Sequence, residues 1–78
     1  TKLDEALAEK DEFKMASTAH TLKGSASNLG ARRLSVASAK LEKAVKAGEW
    51  REAADFLLTV KIEFQRVEAA LFTELQKT

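Results

Sequence analysis

Apolar positions recur along the chain at three- and four-residue spacing, the period of an amphipathic helix. No segment alternates strictly, as a half-buried strand would. Leu3, Ala6 and Leu7 place a short first helix over residues 1–9, broken by the charged pair Lys10-Asp11. Met15, Ala19, Leu22, Ala26 and Leu29 predict the buried stripe of a second helix over 11–29. Asp11 is suited to cap its start, and Gly30 to follow its end in a left-handed conformation. Leu34, Ala37 or Ser38, Leu41, Ala44 and Val45 give the inward face of a third helix over 32–47, stopped by Gly48. Trp50, Ala53, Leu57, Val60, Phe64, Val67 and Leu71 run down a long fourth helix over 50–76. With connections this short, the expected fold is all-α, an antiparallel up-down four-helix bundle whose first helix is short or truncated.

The second helix carries the chemistry. At about 100° per residue, His20 points roughly 140° away from the stripe's centre, so the chain's one histidine is placed outside the core. Gly24 lies one turn further along the same face, and an interior helical glycine costs about 1 kcal/mol relative to alanine. Lys23, at i+3, flanks the ring with a positive charge. An exposed imidazole, a cleared turn and an adjacent cation suit a histidine that carries an anionic group. Phe13, Ala16, Ser17 and Ser27 share its side of the helix, where long charged side chains would be ordinary. A patch of that kind marks a docking surface. For Phe13 and Ala16 a second reading stands beside it, packing beneath a longer first helix.

Composition narrows the classes. The 78 residues suffice for one small domain, spanning 1–78, and 45% hydrophobic with 32% charged content suits a soluble bundle. The absence of cysteine removes disulfides and thiolate zinc sites, and with a single histidine a metal site fails on ligand count. No apolar run approaches the roughly 20 residues of a membrane span, so no direct membrane contact is expected. Net charge is +1, but residues 14–48 hold seven bases against Glu42 alone, while both flanking segments are net acidic. An acidic partner or a phosphoryl group would be drawn to that middle segment. A solvated basic face explains the same charges. Binding of nucleic acid is not expected, since the excess is modest and no recognition motif accompanies it.

The run Ala19-His20-Thr21-Leu22-Lys23-Gly24-Ser25, with Gly30-Ala31, Leu34 and Leu41-Glu42 beyond it, resembles the histidine-phosphotransfer (HPt) domain family of multistep phosphorelays. The likeness continues through Ala47-Gly48-Glu49-Trp50 into the last helix. It implies a domain that accepts a phosphoryl group on His20 from the aspartate of a response-regulator receiver domain and passes it to another. Lys23 would support the phosphoryl group, and Gly24 would give it clearance. A polar side chain on the neighbouring helix often fixes the inner ring nitrogen in this family, and Glu42 is the candidate here. Phe13, Ala16, Ser17, Ser27 and Arg32 would form the receiver-docking rim. No cofactor or metal is expected on this domain, and Mg2+ is expected on the partner receiver, which supplies the acids. The domain alone would be a phosphoryl carrier and not an enzyme. Its parent would be the cytoplasmic end of a hybrid sensor histidine kinase, with Gln76-Lys77-Thr78 near a natural end, or else a free-standing shuttle. It is expected to be monomeric, although a shortened first helix leaves a groove through which copies could pair.

Imidazole suits this chemistry because its reference pKa of about 6.5 leaves most of it unprotonated at pH 7. A serine-hydrolase arrangement fails on geometry: Ser27 is about 10 Å along the axis from His20, and Ser25 is on another face. The remaining alternative is a helical protein-interaction module without phosphoryl transfer, which leaves the offsets of Lys23 and Gly24 unexplained.

Overall fold

A computed structural model of the chain describes residues 2–76. Thr1, assigned above to the first helix, and Lys77-Thr78, assigned to a natural end, lie outside the described residues. Four helices follow in order: α1 (Lys2–Glu9), α2 (Glu12–Asn28), α3 (Arg32–Lys46) and α4 (Trp50–Gln76). Each packs on its chain neighbour and α4 returns to α1, so the antiparallel bundle closes as a ring. Its core is small-residue rich, with Ala6, Ala19, Ala26, Ala44 and Ala53 among the most buried positions around Met15, Leu41, Val45, Leu57 and Val60. Alanines at these positions let helix axes approach closely.

All three connections use one geometry. The N–H groups of Asp11, Ala31 and Glu49 donate to the carbonyls of Ala6, Ala26 and Ala44, and the preceding residue donates to Leu7, Ser27 or Val45. This is the Schellman closure, which needs a left-handed residue just past the helix. Gly30 and Gly48 supply it at φ 73° and 74°, whereas Lys10 adopts φ 53° without being glycine. Asp11 then caps α2, its carboxylate accepting from the Lys14 N–H at 3.0 Å. Asp4 on α1 pairs with Lys61 on α4 and closes the ring from the other side.

The structure departs from the sequence pattern at three points. Leu29, expected in the buried stripe of α2, is 61% exposed, because it is the C-cap residue and the chain turns away there. Phe64 and Leu71, expected in the core of α4, are exposed. The cause is length: 8 residues of α1 reach about 12 Å, against about 40 Å for the 27 of α4, so the outer turns of α4 lack a neighbour on that side. Ala16, expected on the open face of α2, is buried. The helix ends also differ by a residue, α2 running over 12–28 with Asp11 outside it and α3 over 32–46.

Candidate functional site

Two helices with different exposure build the site. The face of α2 that holds His20 is open, and the imidazole is 66% exposed. Glu42 lies on the part of α3 turned towards α2, and its side chain is only 12% exposed. The ring nitrogen Nδ1 stands 3.3 Å from Glu42 Oε1 and 3.2 Å from Oε2. The hydrogen bond from Lys46 holds the Glu42 carboxyl below the ordinary carboxylate range, against the opposite push of burial, and the bond from His20 adds to it. Glu42 is therefore an anion at neutral pH and can only accept. That acceptor calls for the hydrogen on Nδ1, which leaves the lone pair on Nε2, the nitrogen remote from the carboxylate.

Cations surround the same carboxylate. Lys46, one turn beyond Glu42 on α3, donates to Oε2 at 3.0 Å, and Lys23 reaches Oε1 at 3.9 Å. Glu at i with Lys at i+4 is the favourable orientation for a helix pair, and Lys46 also lies in the last turn, where the helix dipole favours a cation. Lys23 is further steadied through its backbone: its carbonyl accepts from Ser35 on α3 at 3.4 Å, and Ser35 in turn pairs with Ser27 at 2.8 Å. This clasp holds the two helices together beside the site.

The ring stands between two shallow depressions. One is lined by Phe13, Ala16, Ser17 and Thr21 with Glu42 and Lys46. The other is lined by Lys23, Ala39, Lys43 and Lys46 with Glu42. A methyl group added at Gly24 would meet no atom within 4 Å beyond its own stretch of helix, so no packing neighbour requires glycine there. Phe13 is 83% exposed, a large apolar side chain left in solvent near the histidine.

Not every residue of the expected rim gathers here. His20, Lys23 and Glu42 share one cluster, with Phe13, Ala16 and Ser17 beside it. Ala16 contributes to the depression from a nearly buried position, and the Ser17 hydroxyl is turned back onto the Lys14 carbonyl. Ser27 sits about 10 Å further along α2, engaged with Ser35. Arg32 opens α3 and lines a different depression with Arg33, Val36, Lys40 and Phe56, away from the ring. Lys46 and Lys43, two of the seven bases of the middle segment, also join the site, and so does Ser35. The Glu42–Lys46 spacing of four was the one available signal for the first. Among the described residues, no group of three or more His, Cys, Asp or Glu side chains could hold a metal ion, and no helix is long and apolar enough to cross a membrane.

No curated protein and no solved structure matches the chain. The family model of the Hpt domain matches residues 1–70, which take in the histidine, the glutamate beside it and most of the last helix, and the chain belongs to the Hpt domain family.

Proposed function

We propose that His20 is the phosphoryl-carrying residue of this Hpt domain, loaded by the aspartyl phosphate of one receiver domain and discharged onto the aspartate of another. Hpt domains are phosphoryl carriers that work with response-regulator receivers in phosphorelays. The observation that carries the assignment is the pairing of a 66% exposed imidazole with a buried carboxylate on Nδ1, which leaves Nε2 as nucleophile. Its lone pair attacks phosphorus. The N–P bond forms as the P–O bond of the acyl phosphate breaks, and that bond's electron pair leaves with the receiver's carboxylate. No proton moves: the ring keeps its Nδ1 hydrogen and gains a positive charge, which faces the Glu42 anion. In the return step a carboxylate oxygen of the second receiver attacks phosphorus and the N–P pair goes back to Nε2.

Lys23 offsets the charge of the phosphoryl oxygens, and Gly24 leaves room for them and for the receiver's surface. Phe13, Ala16 and Ser17 serve docking on one side of the ring. Serving the receiver from further away, Arg32 and Ser27 would contribute only to the edge of the contact. The acids and Mg2+ that transfer needs are assigned to the receiver. A place in the cytoplasmic part of a hybrid sensor histidine kinase, acting as a monomer, suits such a carrier.

The test is transfer from labelled phospho-receivers to the wild type and to His20→Gln. Acid-labile, base-stable label on the wild type alone is the expected result. Equal label on both proteins would move the site elsewhere. Failure with every receiver on a folded bundle would leave a helix-pairing module in its place.

A further inference from the structure

In the unloaded protein the Glu42 carboxylate serves three positive or proton-donating groups with two oxygens. Lys46 Nζ lies 3.0 Å from Oε2, His20 Nδ1 faces both oxygens, hydrogen-bonded to Oε1 at 3.3 Å and 3.2 Å from Oε2, and Lys23 stands off at 3.9 Å from Oε1. Glu42 is fixed by burial, its side chain only 12% exposed, and it holds the open His20 ring through Nδ1. Lys46 is not fixed: its side chain is 61% exposed on a flexible four-carbon stem, and it borders both depressions beside the ring. Phosphorylation changes the balance of charge at this point. The ring becomes cationic and faces Glu42 through Nδ1–H, so the carboxylate acquires a fixed positive partner. At the same time a dianionic phosphoryl group arises on the solvent side, within the swing of the Lys46 ammonium.

We propose that Lys46 is a mobile counter-ion, resting on Glu42 when His20 is empty and turning to the phosphoryl oxygens when His20 is loaded. With Lys23 it then forms a two-cation cradle, one lysine from each helix. Lys46 is thereby a positioning and charge-balancing residue for the phosphorylated state, and Glu42 is the station that holds it close beforehand. The proposal rests on the assignment of His20 as the phosphoryl carrier. It gives the Glu42–Lys46 pair a role that a surface ion pair, which adds little to stability, would not have.

The experiment uses phosphoramidate as a small-molecule donor, so no receiver contact enters the result. Wild type, Lys46→Met, Lys46→Arg and Lys43→Met are phosphorylated and followed by 31P NMR across pH, with circular dichroism as the check on folding. A nearby cation favours the dianion. Lys46→Met should therefore raise the phosphoryl group's own pKa by about half a unit, roughly threefold in its ionisation constant. The lifetime of the phosphohistidine should change in the same variant. Lys46→Arg should restore both values, and Lys43→Met, which lacks the Glu42 contact, should move them less. If phosphohistidine forms but Lys46→Met titrates and decays like the wild type, the counter-ion proposal is overturned and the carrier assignment stands. If His20 takes no phosphoryl group in the wild type, both are overturned.

Discussion

Replacing Gly24 with alanine should make this protein more stable and less active. Gly24 lies inside α2, four residues before its last helical position, in right-handed conformation and with no atom beyond its own stretch of helix within 4 Å of where a Cβ would stand. The substitution therefore brings no internal clash, and only the helix preference remains, about 1 kcal/mol in favour of alanine. Unfolding entropy near 2.1 cal/mol/K per residue amounts to roughly 0.16 kcal/mol/K for 78 residues, so the gain corresponds to about 6 °C in Tm. A methyl group on the His20 side should meanwhile press on the incoming phosphoryl group or receiver surface and slow transfer about tenfold, some 1.4 kcal/mol of barrier. Gly24→Leu should block transfer on a folded helix. Thermal melts by circular dichroism and single-turnover transfer from a phospho-receiver read the two effects separately. A lower Tm for the alanine variant would mean that the turn is crowded after all. A higher Tm with wild-type transfer would show that the clearance serves nothing.

Further perturbations probe the frame and the electrostatics. Ser38 is fully buried and its hydroxyl finds no hydrogen-bond partner among the described residues, so Ser38→Ala should raise stability by about 1 kcal/mol in urea titrations, and a loss would reveal a hidden partner. Lys10→Gly relieves a left-handed non-glycine residue in a turn whose two counterparts are glycines, and should also add about 1 kcal/mol without altering transfer. Glu42→Gln tests the pH response. The folded carboxyl titrates below its ordinary value of 4.5, so the unfolded chain binds more protons between the two values; the stability it contributes is complete above pH 4.5 and is lost as pH falls through the folded value. Denaturation midpoints of the variant should fall less steeply in that acid window, and an unchanged acid slope would deny Glu42 its ionic role. Lys23→Ala should slow transfer or shorten the life of the phosphohistidine with little change in Tm, since Lys23 stands 3.9 Å from its partner, and unaltered kinetics would make its charge incidental.

What could be read from the sequence followed from periodicity and from turn chemistry. Both are local. Asp11, Gly30 and Gly48 announced the helix boundaries because each satisfies backbone groups within its own turn. The phase of His20 against Met15 and Ala19 sufficed to bring it to the surface. Phase alone misjudged Leu29, Phe64 and Leu71, since it says which way a side chain points but not whether another helix is there to meet it. Ala16 failed in the opposite direction, buried at the margin of a face assigned to solvent. The partner of the ring was legible only through the resemblance: His20 and Glu42 are 22 positions apart, and nothing in helical spacing joins residues on two helices. Lys46 belongs to the site for the same non-local reason, through a carboxylate whose place the sequence does not give.

The arrangement separates what must be rigid from what must move. Nδ1 needs a fixed acceptor, and Glu42 is fixed because its stem is enclosed between α2 and α3, while Ser27 and Ser35 lock the same two helices further along. An exposed glutamate could not do this, since its rotamers would be free and water would compete for the ring. Burial by itself pushes the Glu42 carboxyl up, and the hydrogen bond from Lys46 outweighs that push and holds it below its ordinary value. Lys46 does so from an exposed position, which costs little in desolvation and leaves the ammonium able to turn elsewhere. On the carrier assignment proposed above, a phosphorylated ring would set its own positive charge against Glu42 while the phosphoryl oxygens would call for a cation. A domain whose task is to hold a phosphoryl group and release it gains from such a balance, because each state leaves the charges of the other's partners satisfied without rearranging the helices.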